Sequence, residues 1–112
     1  MCCIDLNGVQ VRLTENRWHG HTLKRHHYLE GQEQHIKRTV EAPEIVDQDQ
    51  EYPRRKCFYR KVRLPDGSDD EYLKVVVEYE VNAHEEHEGS VITAFAVRSA
   101  QDDGERLWPK DQ

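Results

Sequence analysis

Histidine, arginine and threonine recur in this chain at spacings that suit acid–base work on a phosphate. His21 precedes Arg25 by one helical turn on a shared face, and His26 follows directly. Farther along, Tyr59 and Arg60 stand together in an aromatic–basic stretch, and Thr93 lies in a later apolar run. Cleaving RNA without a metal needs few parts. A base removes the ribose 2′-hydroxyl proton, an acid protonates the leaving 5′-oxygen, and cations steady the crowded phosphate. Histidine suits either proton role because its reference pKa is about 6.5. Arginine suits the phosphate because its planar fork donates two parallel bonds. The plainer reading is that His21 caps or packs and Arg25 is solvated. Spacing alone leaves both open.

Charge is sorted along the chain. Arg54, Arg55, Lys56, Arg60, Lys61 and Arg63 form a basic block with no acid among them. Arg54, Arg55, Lys56 and Lys61, with Lys74 beyond, are the candidate nucleic-acid contacts; the alternative is that they simply solvate a strand. Acids gather at Glu44–Glu51, Asp66–Glu71 and Glu78–Glu88, and the net charge is -6. A binder of nucleic acid is normally basic overall, so the total counts against that class while the block leaves it open.

Other chemistries are weaker. His84-Glu85-Glu86-His87 sets its histidines three apart in an acidic loop, unlike the helical H-E-x-x-H of zinc proteases, so no metal is expected. There is no G-x-S-x-G elbow and no glycine-rich phosphate loop, so no cofactor is expected either. Cys2, Cys3 and Cys57 are odd in number and lack paired CxxC spacing, which predicts reduced thiols and no disulfide-linked partner. No apolar run approaches the roughly 20 residues that cross a bilayer, and no signal peptide is visible. A cytoplasmic protein with no membrane partner is the expectation.

These groups need elements to hold them. At 112 residues the chain is one domain long, with its core over about residues 4–108. Ile4 and Leu6, then Asn7-Gly8, then Val9, Val11 and Leu13 predict a hairpin with a two-residue type I′ loop. That register pairs Leu6 with Val9 and Ile4 with Val11. Thr14 can cap a helix running to about His27, with Trp18, His21, Thr22 and Arg25 on one face. Gln32–Ala42 reads as a second helix, with Ile36 and Val40 inward and Pro43 as its stop.

A polar loop with Pro53 then leads into an extended segment, Lys56–Leu64. Phe58, Val62, Leu64 and Arg60 fall on one of its faces, Cys57 and Tyr59 on the other. Pro65–Ser68 reads as a turn. Tyr72–Val81 alternates apolar and polar residues as a half-buried strand does, and Val91–Arg98 is apolar on both faces, which predicts a central strand. Glu105–Trp108 adds a short edge strand. The sum is an α+β domain: an N-terminal β-hairpin, then two helices packed on an antiparallel sheet of three to four strands.

The string Trp18-x-x-His21-x-x-x-Arg25-His26 resembles the phage-associated nucleases of the barnase–EndoU–colicin–RelE superfamily. Four later stretches share the likeness: Ala42-Pro43-Glu44-Ile45, Phe58-Tyr59-Arg60, Leu73–Val77 and Val91-Ile92-Thr93-Ala94-Phe95. Each motif is short, and together they run in order from about Ile4 to Trp108. The resemblance implies helices followed by a four-stranded antiparallel sheet, and a metal-independent, toxin-like endoribonuclease. It also implies RNA as substrate and an antitoxin or other protein as partner. On these matched positions His21 would be base or acid, Arg25 and Arg60 the phosphate clamp and Thr93 a phosphate donor, with His26 and Tyr59 completing the site. A reading from another class is a non-catalytic module of the same fold that binds a protein through its acidic loops.

Overall fold

The computed structural model of the chain describes residues 1–26, 29–63, 72–100 and 104–109. A first hairpin consists of β1 (Cys2–Ile4) and β2 (Gln10–Arg12). One helical stretch follows, made of α1 (Glu15–Arg17), a π-helical turn (Trp18–Thr22) and α2 (Leu23–Arg25). After α3 (Glu33–Glu41) come β3 (Ile45–Gln48), β4 (Arg55–Lys61), β5 (Tyr72–Val81), β6 (His87–Val97) and β7 (Arg106–Trp108). The predicted Pro65–Ser68 turn, Leu64, His27 and the Asp66–Glu71 acids lie outside the described residues.

The strands form one seven-stranded sheet in the order β1-β2-β6-β5-β4-β3-β7. Every neighbouring pair is antiparallel except β2 with β6, which is parallel. This corrects the expected architecture of three to four antiparallel strands under two packed helices, because strands dominate and the helices are short. Two physical reasons account for it. Ile45–Gln48 carries Asp47 and Gln48, whose polarity reads as loop, yet it pairs with β4 and β7 and fully buries Asp47. The hairpin joins the sheet through a long-range pairing, Val11 opposite Gly89, that no local pattern announces.

The hairpin register also differs from expectation by one residue: Cys3 opposes Val11 and Ile4 opposes Gln10. The Asp5 carboxylate is the cause. Its Oδ1 accepts from the N–H groups of Asn7 and Val9, at 2.8 and 2.9 Å, and Gly8 takes φ +81°. The side chain thus builds a three-residue loop in place of the two-residue turn. A one-residue slip exchanges the faces of a strand. Cys3, Val11 and Leu13 are buried, whereas Ile4 and Leu6 point outward, 50% and 41% exposed.

Local expectations hold elsewhere. Thr14 accepts from the Arg17 N–H at 3.1 Å and caps α1. Ile36 and Val40 are fully buried on α3, and β5 spans the alternating segment read from sequence. With Trp18 and Leu13, the two α3 residues cover the sheet face of Phe58, Leu73, Val75, Val77, Val91 and Ala94. The opposite face carries a smaller cluster of Cys57, Tyr59 and Val76. Val76 opposes Thr93 while Val77 opposes Val91, so Ile92 is the extra residue of a β-bulge and joins Thr93 on this second face.

Gly89 marks a close approach in the first core. A Cβ there would meet Val77 Cγ1 at 2.9 Å, Tyr79 Cε1 at 3.0 Å and Val11 Cγ2 at 3.1 Å. Gly89→Ala is expected to destabilise the fold by about 1–3 kcal/mol through overpacking, measured as a lowered urea midpoint. An unchanged midpoint would show that the Tyr79 ring yields freely.

Candidate functional site

Strand register builds a row of side chains on the face away from α3. Tyr59 of β4 opposes Lys74 of β5, and Lys74 opposes Phe95 of β6. The Lys74 ammonium lies 5.7 Å from the Tyr59 ring centroid and 5.5 Å from that of Phe95. A cation over two aromatic faces is held by their quadrupoles. His26, at the end of α2, extends the row: its ring stacks on Phe95 with centroids 5.4 Å apart and 25° between planes. Thr93 is half-buried on the same face in the neighbouring register row, opposite Val76. Lys74, Phe95, His26 and Thr93 are all partly accessible; Tyr59 is buried beneath them.

The helical stretch positions the histidines. In the π-helical turn the Leu23 N–H donates to the Trp18 carbonyl, one residue wider than an α-helix allows. Trp18 and Thr22 go into the core, His21 stays half-buried and Arg25 is exposed. Burial pushes the pKa of His26 below its ordinary 6.5, and the neighbouring charges of Arg25 and His21 add to the effect. Both effects favour the neutral imidazole, the form that accepts a proton.

Not every residue singled out from sequence arrives here. Arg60 alternates onto the helix-covered face, where its Nη1 donates to the Ala42 carbonyl at 2.6 Å and closes the C-terminus of α3. Arg60 and Thr93 therefore lie on opposite faces of the sheet. The basic block divides in the same way. Arg55 pairs with Glu78 at 3.1 Å and lies over Tyr52, and Lys56 lies over Tyr79 on the other face. Arg54 is exposed in the turn before β4; Lys61 is exposed at its end, its N–H donating to Glu44. The structure brings His26, Tyr59, Lys74 and Thr93 to one face, with Arg25 and His21 near enough to His26 to act on its charge. His21 also lines a surface hollow with Thr14, Arg17 and Gly20. Arg60, Arg54, Lys56 and Lys61 are separated from them.

Two features escaped the sequence reading. Phe95 is the platform on which His26 and Lys74 converge, and only the β5–β6 register reveals it. Asp5 is buried and accepts from the Tyr79 hydroxyl at 2.6 Å, so burial and this bond hold the phenol well above its ordinary pKa. In the expected register Cys3 and Asp5 share the outward face, so no sequence signal pointed to this acid.

Among the described residues no three histidine, cysteine or acidic side chains are grouped to hold a metal ion, and no disulfide is present. No described helix is long and apolar enough to cross a membrane. Comparison of the chain with protein-family models, with curated proteins and with solved structures gives no match in any of the three.

Proposed function

We propose that this protein is a single-stranded RNA-binding protein whose His26–His21–Arg25 cluster cleaves the bound strand without a metal. One observation carries the reading: the His26 ring is stacked on Phe95 beside Lys74, on the sheet face away from α3. Aromatic platforms flanked by cations take unpaired bases because every base has a π-face. In the proposed reaction His26 removes the 2′-hydroxyl proton, and the 2′-oxygen attacks phosphorus. The bond to the 5′-oxygen breaks, and His21, as the general acid, supplies that oxygen with a proton. Products are a 2′,3′-cyclic phosphate and a free 5′-hydroxyl. Arg25 and Lys74 offset the added negative charge on the phosphoryl oxygens in the transition state. The sequence resemblance to small ribonucleases supports the reaction class, and Arg60 has no part in it.

The test is binding and cleavage of a fluorescent single-stranded RNA in EDTA, followed by anisotropy and by gel. Phe95→Ala and Lys74→Gln should each weaken binding by about 1–3 kcal/mol, the worth of one stacked base or one charge-assisted contact. Binding equal to wild type in both variants would remove the platform from the site. Binding without any cyclic-phosphate product would leave the non-catalytic module of the second reading.

A further inference from the structure

The sheet curls until its two edges face one another. The β1–β2 turn, at one end of the strand order, and β7, at the other, line a single cavity of about 210 Å³. It opens on the helix-side face, away from the Phe95 platform. Val46, Phe58, Leu107 and Trp108 wall it, and Leu6 stands at its mouth. Engineered cavities of roughly 150 Å³ take a benzene ring, so this one holds a ring and a short polar tail.

Two charged groups line the cavity, and they are not equivalent. Asp5 is saturated: Oδ1 accepts two backbone N–H groups and Oδ2 accepts the Tyr79 hydroxyl. Lys56 rests over the Tyr79 ring, 5.0 Å from its centroid, and no described carboxylate forms an ion pair with it. The group left to be recognised is a cation. We infer that this cavity binds a small amphipathic carboxylate, an aromatic acid whose ring lies between Phe58, Leu107 and Trp108 and whose carboxylate meets Lys56. A ring seated there buries apolar surface on three sides, and its anion meets the Lys56 ammonium, which has no ion pair among the described residues.

The structure supplies its own reporter, since Trp108 is 46% exposed at the cavity while Trp18 is buried in the core. The experiment titrates the full chain with 3-phenylpropionate, its neutral amide and phenethylamine, following tryptophan emission. The carboxylate should give a saturable change, with the amide and Lys56→Gln each roughly tenfold weaker, a factor equal to one such hydrogen bond. Leu6→Glu, at an exposed position, should weaken the carboxylate similarly by placing an anion at the mouth. No saturable change, equal affinity in Lys56→Gln, or tighter binding of the amine would each overturn the inference. RNA binding should be untouched by Lys56→Gln, so the two sites fail separately.

Discussion

His26→Ala is expected to lower RNA cleavage by roughly 10²–10⁴-fold while leaving RNA affinity reduced far less. The ring is both the candidate base and the outermost member of the stack, so the two losses must be read separately. Single-turnover rates at saturating protein isolate the chemical step from binding. The pH profile carries the sharper test. Burial, then Arg25 and His21, lower the pKa of His26, so the acid limb of the cleavage profile should lie below the ordinary histidine value. Removing a repelling cation by Arg25→Gln should raise that limb toward the ordinary value and slow the reaction as well. The same depression makes protonation of His26 oppose folding. Its contribution to stability is present above pH 6.5 and is lost as pH falls through the folded-state pKa. Proton NMR of the imidazole checks the limb independently of rate. Full activity in folded, purified His26→Ala would end the mechanism.

Arg106→Met should destabilise the protein by about 3–5 kcal/mol, the largest effect expected of any exposed-edge substitution here. Asp47 is fully buried on β3, and Arg106 of β7 donates to its Oδ1 at 2.6 Å. The second carboxylate oxygen is buried without a hydrogen-bond partner among the described residues. Removing the guanidinium leaves a buried anion with neither counter-ion nor donor, whereas methionine keeps most of the apolar stem. A drop in melting temperature of about 10 °C or more follows for a domain of this size. Asp47→Asn combined with Arg106→Met should recover part of the loss, since the amide carries no charge to strand. A change below about 1 kcal/mol would mean that water reaches Asp47. Gly104 reports on the same corner, because a Cβ there would collide with the Gln48 carbonyl oxygen.

The strength of each sequence signal tracks how local its cause is. β5 could be read to its ends because alternation is enforced by the sheet on every second residue. α3 could be read because Ile36, Val40 and Pro43 act within one helix. The Asn7-Gly8 turn announced a hairpin, but a carboxylate two residues upstream captured the loop N–H groups and shifted the register. β3 was illegible since its buried Asp47 is offset by Arg106, 59 residues away. For the site, one exclusion was available from the start. Tyr59 and Arg60 are neighbours in a strand and point to opposite faces, so both cannot serve one surface. Phe95 was not legible as a site residue, because a single bulge at Ile92 decides which residues of β6 share the face of Lys74.

The Asp47–Arg106 pair has a consequence for synthesis on the ribosome. β4, β5 and β6 are neighbours in both sequence and space, so the antiparallel meander can form as it emerges. β3 cannot be completed at that stage. Its outer edge and its carboxylate wait for β7, which leaves the ribosome only after β4, β5 and β6. During that interval the nascent sheet presents an unpaired strand whose inward acid is uncompensated. The charge that makes β3 hard to read also makes the open edge hard to bury, and so discourages pairing with a neighbouring chain. Arrival of Arg106 converts that guarded edge into an interior strand.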